Sequence, residues 1–211
     1  MTKGRMSKNA LVIFAKYPQA GKVKTRLASA IGPRKAARLY AAFLKNLWAA
    51  HGHQPYHLMV AFTPAHKKKQ MKRLLGKQEG LYLQRGADLG ERISFCFREL
   101  LQKYNKISII GADLPHLKAD AIENAFRKLD DVDVVLGPSE DGGYYLIALK
   151  QWHEIFDNIA WGSSTVLKQQ IRNIQQQGLK AAFLEKRYDI DTYEDLCRLK
   201  NETKRGMRNY L

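Results

Sequence analysis

Short apolar runs recur along the chain at the length typical of β-strands. Many of their residues are β-branched or aromatic, and such side chains pack well on a pleated surface. Each run therefore predicts a strand. Five strong runs cover residues 11–14, 58–62, 107–110, 132–136 and 144–149, and two weaker ones cover 81–83 and 181–184.

Between these runs, apolar residues return every three to four positions, which is the period of one helix face. This pattern covers residues 37–48, 89–100, 122–129 and 167–174. Alternating strands and helices predict an α/β fold, a three-layer α/β/α sandwich with a mainly parallel sheet. One link differs: GPSEDGG, between 132–136 and 144–149, is too short for a crossover helix, so antiparallel pairing or a sheet extension is expected there.

Length and composition bound the class of protein. The 211 residues fit a single domain over positions 1–211, and 45% hydrophobic with 27% charged residues exclude wholesale disorder. Cys96 and Cys197 form no disulfide framework, which indicates a reducing compartment. The N-terminal apolar run is too short for a signal peptide or a membrane span, so we expect a cytoplasmic protein without a transmembrane segment.

The formal net charge of +16 indicates an anionic partner. Nucleotide phosphates, nucleic acid and an acidic membrane surface all satisfy that requirement, and charge alone does not choose among them. Clusters such as 67–69 and 200–208 are more typical of solvated faces than of binding sites.

In open α/β sheets, ligands bind beyond the carboxyl ends of the strands. The first strand is followed by KYPQAGKVKTRL, a loop that brings cations and a hydroxyl to a helix start. Backbone N–H groups, the helix dipole and basic side chains together favour phosphate. A solvated basic loop is the alternative. The candidate phosphate ligands are Lys16, Gly21, Lys22, Lys24, Thr25 and Arg26.

Carboxylates follow two other predicted strands. Asp113 comes directly after the run 107–110, and Asp189 and Asp191 follow the run 181–184. Hard oxygen ligands of this kind suit Mg²⁺ or Mn²⁺. Helix capping is the alternative interpretation for Asp113 and for Asp191.

The segment around the short link carries a further set of candidates. Glu140 and Asp141 precede two glycines and Tyr144, at the mouth of a strand. A tight hairpin explains the Asp-Gly-Gly part without any function. The functional alternative is that Asp141 or Glu140 acts as a base, and that Gly142, Gly143 and Tyr144 contact a substrate. Arg92 and Trp161, both near helix starts, are weaker substrate-contact candidates.

Six segments, in this order, resemble an uncharacterised bacterial family of GT-A-fold glycosyltransferases, also described as selenodomain-associated transferases (DUF2064-like), in the nucleotide-diphospho-sugar transferase superfamily. They are AKYPQAGKVKTRLA, QRGADLGERI, IIGADLPHL, DVVLGPSEDGGYYLIAL, WGSSTVL and DIDTYEDL. The resemblance implies a GT-A fold, a basic loop that holds phosphates, metal-binding aspartates at Asp113 and at Asp189 or Asp191, and substrate contacts from Asp141 to Gly143. A typical GT-A glycosyltransferase has an Asp-x-Asp pair at the metal strand, whereas this chain has Gly-Ala-Asp-Leu-Pro there, so glycosyl and nucleotidyl transfer both stay open.

We therefore predict a metal-dependent transferase that uses a nucleotide-activated sugar and an unknown acceptor. The first alternative is nucleotidyl transfer from a nucleoside triphosphate to a small phosphorylated substrate, with release of pyrophosphate. The second is a non-enzymatic binder of nucleic acid or an acidic surface, although we do not expect a nucleic-acid partner. The proposed active site requires that the basic loop at Lys22–Arg26 and the carboxylate of Asp113 face each other across one cleft.

Overall fold

The structure, a computed structural model, describes residues 9–76 and 80–202 of the chain. All seven predicted strands are present in this part. Each predicted apolar run therefore forms part of a sheet, with boundaries shifted by at most a few residues. The strands are β1 (Asn9–Lys16), β2 (His57–Thr63), β3 (Leu81–Leu83), β4 (Lys106–Gly111), β5 (Val134–Pro138), β6 (Tyr144–Leu149) and β7 (Ala181–Phe183).

The four periodic segments form helices as predicted. A helix also begins after the basic loop, at Thr25, and another begins after the acidic turn that contains Asp189 and Asp191, at Tyr193. One helix was not predicted, because the segment 68–75 has only Met71 and Leu75 as buried positions among lysines and arginine. The helices are α1 (Thr25–Ile31), α2 (Pro33–His51), α3 (Lys68–Leu75), α4 (Leu89–Leu100), α5 (Ala119–Lys128), α6 (Val166–Gln176) and α7 (Tyr193–Glu202), with a short 3₁₀ helix at Ala65–Lys67.

The strands form one sheet in the order β3-β2-β1-β4-β6-β5-β7. Among the described strands, β6 alone is antiparallel to its neighbours β4 and β5. The antiparallel pairing expected across the GPSEDGG link is confirmed. Because β6 lies between two strands of the opposite direction, its start lies at the same edge of the sheet as the ends of β4 and β5.

Helices cover both faces of the sheet, which confirms the three-layer sandwich. On one face, α2, α3 and α5 pack through residues such as Leu44, Met71 and Phe126. On the other, α4 and α6 pack through Phe97 and Ile174. Burial of these apolar side chains is the main favourable term in the stability of the fold.

A third, smaller core holds the candidate site together. Leu27 of α1, Phe43 of α2 and Leu196 of α7 pack with Ile190, which lies in the acidic turn after β7. The backbone N–H of Ile190 also donates to the carbonyl oxygen of Asp113 at 3.2 Å. The segments after β1, β4 and β7 are therefore fixed to one another at the carboxyl edge of the sheet.

No helix in the described part of the chain is both long enough and apolar enough to cross a bilayer. The basic cluster predicted at residues 200–208 falls mostly outside the described residues.

We expect Phe97→Ala to lower the free energy of unfolding by about 3–5 kcal/mol, because it leaves a cavity in the core. The Phe97 side chain is fully buried and stacks on Phe156 with 5.8 Å between ring centroids. Phe95→Ala is the matched control, since Phe95 belongs to the same helix and is 42% exposed. Urea unfolding of both variants measures the difference, and equal losses would contradict the assigned packing of α4.

Candidate active site at the carboxyl edge of the sheet

A cavity of about 570 Å³ opens where the carboxyl ends of β1 and β4 meet the start of β6. Its lining combines apolar and aromatic surface with a concentration of carboxylates. Such a mixture suits a ligand with one apolar face and several hydroxyl groups. The aromatic and apolar lining includes Phe14, Leu89, Ile109, Tyr144 and Trp161, and the charged lining consists of Arg26, Asp113, Asp141, Asp189 and Asp191.

Lys24 lies at the centre of the charged cluster. Its Nζ donates to Asp113 Oδ1 at 2.5 Å and to Asp191 Oδ1 at 2.6 Å, and its side chain is only 3% exposed. Burial alone would lower the pKa of Lys24, but the two carboxylates more than offset that effect and raise the pKa above its ordinary value. Lys24 is therefore a permanently charged, buried ammonium. The basic loop at Lys22–Arg26 and Asp113 therefore face each other, as predicted.

The backbone at Lys24 explains how the side chain reaches this position. Lys24 is the N-cap residue of α1 and has a left-handed conformation, with φ 49° and ψ 48°. That conformation costs a residue with a side chain about 1 kcal/mol or more, so the ion pairs must offset it. The same bend leaves Lys22, two residues earlier, exposed to solvent.

Helix capping does not account for Asp113 or Asp191. The helix after Asp113 begins at Ala119 with Lys118 as its N-cap residue. For α7, Thr192 and Asp195 form a reciprocal capping box: Asp195 N donates to Thr192 Oγ1 at 3.2 Å, and Thr192 N donates to Asp195 Oδ2 at 2.8 Å. The Asp191 carboxylate is therefore not needed as a cap and binds Lys24 instead.

Asp189 lies in the same cavity and differs from its neighbours in protonation. Burial, followed by the nearby negative charges of Asp113, Asp141 and Asp191, raises the pKa of Asp189 to about 8, although Lys24 partly opposes the shift. Asp113, Asp141 and Asp191 already carry more negative charge than the Lys24 ammonium can balance. Ionisation of a fourth carboxyl group in the same cavity is therefore unfavourable. Near neutral pH, Asp189 is therefore mainly protonated and can donate a hydrogen bond into the cavity.

The β5–β6 turn presents Asp141 to the cavity and holds it firmly. Asp141 Oδ1 accepts hydrogen bonds from the Ser139 hydroxyl and from Gly143 N, the latter at 2.9 Å. Gly142 has φ 90°, and a Cβ there would overlap the Ser164 carbonyl oxygen, so its glycine is required by packing. Gly142 does not line the cavity, whereas Gly143 does. The turn-only interpretation is incomplete, because the turn also positions a carboxylate.

Tyr144 and Trp161 form one aromatic wall of the cavity. Their rings meet edge to face with 6.4 Å between centroids. The Tyr144 hydroxyl donates to Gln170 Oε1 at 3.1 Å, and burial raises the pKa of Tyr144 well above its ordinary value. Tyr144 is therefore a neutral wall residue, and Trp161 supplies a flat surface suited to a sugar or base.

The structure does not bring Glu140 to this cavity. Its carboxylate is held by Arg198, with Nη1 at 2.8 Å from Oε2 and Nη2 at 3.1 Å from Oε1. Hydrogen bonding to Arg198 lowers the pKa of Glu140. Of the two acids proposed as a base, only Asp141 faces the cavity.

Three of the predicted phosphate or substrate residues, Lys16, Lys22 and Arg92, line a separate groove of about 440 Å³ together with Tyr17 and His66. We call this the basic groove. Arg92 also donates from Nε to the Gly86 carbonyl oxygen at 2.9 Å, so it anchors the loop before α4. The loop 17–24 lines the basic groove through Tyr17, Gln19 and Lys22, and its Lys24 binds two carboxylates, Asp113 and Asp191, that line the acidic cavity.

Thr25 and Gly21 line neither cavity. Thr25 is the exposed first residue of α1, and Gly21 adopts φ 74° in the turn of the basic loop. Their assignment as phosphate ligands stays a prediction, with no contact in the structure to support it.

Sequence reasoning missed Ser139, whose hydroxyl holds Asp141. The available signal was its place two residues before an aspartate in a turn, where serine and aspartate side chains commonly bond to each other or to the backbone. It also missed Arg198 as the partner of Glu140, because the two residues are 58 positions apart.

The aspartates have the oxygen donors that Mg²⁺ or Mn²⁺ prefers, but the arrangement does not fit a divalent ion between them. The Lys24 ammonium lies between Asp113 Oδ1 and Asp191 Oδ1, at the position that such an ion would take. Within residues 9–76 and 80–202, no group of three or more His, Cys, Asp or Glu side chains is placed to hold a metal.

Comparison with solved structures defines the fold as that of nucleotide-diphospho-sugar transferases. A protein from Desulfovibrio desulfuricans G20, provisionally assigned as a nucleotide-diphospho-sugar transferase, is 31% identical, with a TM-score of 0.91 over 96% of this chain and 90% of that one. The same fold occurs at 10% identity in 4-diphosphocytidyl-2C-methyl-D-erythritol synthase from Anaerococcus prevotii DSM 20548, with a TM-score of 0.61 over 95% of this chain and 100% of that chain. It also occurs in a CMP:2-keto-3-deoxy-manno-octonic acid synthetase complexed with CTP, at 11% identity and a TM-score of 0.60, over 94% of this chain and 99% of that chain.

Residues 46–163 match the family described as "Uncharacterized protein conserved in bacteria (DUF2064)". The chain belongs to this family, which confirms the resemblance seen in the sequence. No curated protein matches the chain at a significant level.

We expect Lys24→Met to bind Mn²⁺ at least about tenfold more tightly than the wild type in the nucleotide-free state, because it removes a fixed positive charge from between two carboxylates. Titration of free Mn²⁺ by electron paramagnetic resonance measures the affinity. Lys22→Met, an exposed lysine in the same loop, is the matched control and is expected to behave as the wild type. Equal affinities in the wild type and Lys24→Met would contradict the assignment of Lys24 as the cation of this site.

Asp189→Asn is expected to change the pH dependence of stability. The ordinary pKa of aspartate is 3.8, and Asp189 in the folded state has a pKa of about 8. Between these values the folded state binds one more proton than the unfolded state, so the contribution of Asp189 to stability is lost as pH rises from about 4 to about 8. The asparagine variant lacks this loss and becomes more stable than the wild type at about pH 9.

Urea unfolding over a pH series in the presence of a chelator measures this effect. The control is Asp131→Asn, which changes an exposed aspartate after α5 and should leave the pH profile unchanged. Parallel profiles for the wild type and Asp189→Asn would contradict the raised pKa.

Proposed function

We propose that this protein is a transferase that takes a glycosyl group from a nucleotide-activated sugar and passes it to a hydroxyl acceptor. The observation that carries the proposal is that the carboxyl edge has both a basic groove, lined by Lys22, and an acidic cavity, whose Asp113 and Asp191 bind Lys24 of the same loop. A nucleotide sugar has the same division, with an anionic diphosphate at one end and a neutral sugar at the other.

The relatives support a nucleotide as one substrate. The Desulfovibrio protein, at 31% identity, is provisionally assigned to nucleotide-diphospho-sugar transferases. Among the distant fold neighbours, one synthetase was solved in complex with CTP. These likenesses favour a nucleotide-binding transferase and leave the transferred group to be argued from the site.

The basic side suits the diphosphate of the donor. Lys16, Lys22 and Arg92 line the groove, and Arg26 extends the positive surface into the cavity. Cations fixed where negative charge develops on the leaving nucleoside diphosphate stabilise the transition state more than the bound substrate. Lys24 is paired with Asp113 and Asp191 and so holds the neighbouring segment in place instead of adding free positive charge.

The acidic side suits a neutral hydroxyl acceptor and a base. Asp141 lines the cavity, and one of its oxygens already accepts two hydrogen bonds from its own turn, which leaves Oδ2 for an incoming hydroxyl. In the proposed step, the acceptor oxygen forms a bond to the anomeric carbon, the bond from that carbon to the diphosphate breaks, and Asp141 takes the hydroxyl proton. The diphosphate leaves with the electron pair.

Electrostatics favour this reaction over the transfer of a nucleotide to a phosphorylated substrate. Three carboxylates, Asp113, Asp141 and Asp191, line the cavity beside the protonated Asp189, and the nearby basic residues are Lys24 and Arg26. A phosphate acceptor would meet these carboxylates and would be repelled, whereas a hydroxyl would not.

Nucleotidyl transfer is the second candidate, and the CTP complex of a fold neighbour favours it. The two reactions differ in their products: glycosyl transfer releases a nucleoside diphosphate, and nucleotidyl transfer releases pyrophosphate. The predicted Mg²⁺ or Mn²⁺ remains part of the proposal only as an ion that binds together with the nucleotide, since Lys24 takes the position between the two aspartates in its absence.

A thermal-shift screen of nucleotide sugars and nucleoside triphosphates, with and without Mg²⁺ or Mn²⁺, identifies the donor, because a ligand that binds only the native state raises its apparent stability. Analysis of the released product then follows with the ligand that gives the largest shift. A nucleoside diphosphate supports the proposal, whereas pyrophosphate overturns it in favour of nucleotidyl transfer.

With the donor identified in that screen, we expect Asp141→Asn to lower kcat by about 10²–10⁴-fold and to leave donor binding nearly unchanged, because it removes the base and keeps the shape of the turn. Glu140→Gln is the matched control, since Glu140 is the adjacent acid and is bound to Arg198 outside the cavity. Steady-state kinetics with varied donor and acceptor separates kcat from KM. A larger loss of kcat in Glu140→Gln than in Asp141→Asn would contradict the assignment of the base.

A further inference from the structure

The net positive charge of the chain comes from its first third. Residues 1–76 hold 16 of the 36 Lys and Arg residues and none of the 20 Asp and Glu residues, so the remaining 135 residues hold 20 of each. The net charge of +16 is therefore carried entirely by residues 1–76. Charge separation of this extent in one fold produces a strongly polarised surface.

Half of these cations lie on two neighbouring helices, α2 and α3. α2 and α3 pack on the same face of the sheet, and their outward positions are basic. We call this surface the basic face. Its exposed cations are Arg34, Lys35, Arg38 and Lys45 of α2 and Lys68, Lys69 and Arg73 of α3.

Within residues 9–76 and 80–202, no cation of the basic face forms an ion pair. In the described part of the chain, every ion pair involves a cation outside this set, such as Lys24, Arg85, Lys106 or Arg198. Seven like charges on one surface repel one another, and an anionic partner would relieve that repulsion.

Apolar grooves lie on both sides of α2. One of about 330 Å³ includes Tyr17, Pro18 and Leu74, and another of about 680 Å³ includes Ile31 and Leu39. Arg38 lines both grooves. A basic side chain beside apolar surface is the arrangement found where a protein lies on a bilayer, with its cations at the headgroups and its apolar groups below them.

We propose that the basic face docks on an anionic lipid surface. A bilayer is broad and anionic, and the basic face presents unpaired cations beside apolar grooves, so the two match in charge and in chemistry. Single-stranded nucleic acid is the less suitable polyanion, since its binding relies on exposed aromatic side chains for base stacking. The aromatic residues of α2 are buried or half-buried, and α3 has none.

Docking in this way also positions the candidate active site. Tyr17 and Pro18, which line the groove beside α2, belong to the loop that continues to Lys22 of the basic groove. The mouth of the basic groove therefore lies close to the docked surface. If the proposed glycosyl transfer is correct, the acceptor hydroxyl belongs to a molecule held at the membrane surface, an extension that rests on the proposed function.

Vesicle flotation of the full chain tests the docking itself, without any nucleotide. We expect the protein to bind vesicles of phosphatidylcholine mixed with phosphatidylglycerol, to ignore vesicles of phosphatidylcholine alone, and to dissociate as salt is raised. Because no nucleotide or acceptor is present, failure of the proposed reaction would not affect this result. Absence of binding to the anionic vesicles would overturn the proposal.

Two triple variants with the same change in net charge locate the surface. Arg34→Glu with Arg38→Glu and Lys69→Glu is expected to weaken binding to the anionic vesicles by at least about tenfold. Lys103→Glu with Lys168→Glu and Arg172→Glu changes exposed cations outside residues 1–76 and is expected to bind much as the wild type does. Equal loss in both variants would show a dependence on net charge alone and would overturn the assigned face.

A competition experiment separates the lipid surface from nucleic acid. Single-stranded RNA added to vesicle-bound protein at matched phosphate concentration is expected to displace little of it. Complete displacement that depends on Arg34, Arg38 and Lys69 would overturn the proposal in favour of a nucleic-acid surface.

Discussion

The buried ammonium of Lys24 is the interaction on which the arrangement of the site depends. It joins three segments that are far apart in sequence: the loop after β1, Asp113 after β4 and Asp191 after β7. A charge with 3% exposure is stable only when it is paired and hydrogen-bonded, so these segments must be in place together. The third core, around Phe43 and Ile190, supplies the packing that holds them. Catalytic geometry and local stability therefore rest on the same contacts.

The central ion pair also explains the division of charge around it. Lys24 pairs with both Asp113 and Asp191 but balances only one of their two charges, and burial together with the remaining negative charge and that of Asp141 keeps Asp189 protonated near neutral pH. The acidic cavity is lined by Asp141, Asp189 and the two carboxylate partners of Lys24, while the basic groove is lined by Lys16, Lys22 and Arg92. One loop thus takes part in two environments of opposite charge, because Lys22 lines the basic groove and Lys24 binds carboxylates of the acidic cavity.

The sequence predicted the sheet and the segments at its carboxyl edge, because strong periodicity marks buried strands and helices and because the ends of parallel strands share one edge. It could not separate residues that lie close together in one loop. Lys22 and Lys24 look equivalent in the sequence, and only the left-handed backbone at Lys24 sends one of them inward. Glu140 and Asp141 are adjacent acids, and a distant partner, Arg198, removes one of them from the cavity. The helix α3 escaped prediction because two buried residues are too few to give a clear period.

The antiparallel direction of β6 has a consequence for how the protein can vary. Because β6 returns directly from β5, the candidate base stands on a turn of five residues, 139–143, rather than on a loop that leads to a crossover helix. Gly142 packs against the backbone of Ser164, which leaves this turn no room to lengthen or to tilt. Differences in ligand among related proteins should therefore arise at lining residues outside this contact, such as Leu89, Ile93 and Trp161, while the turn keeps its length. The direction of β6 would then keep the position of Asp141 constant while the surface around it varies.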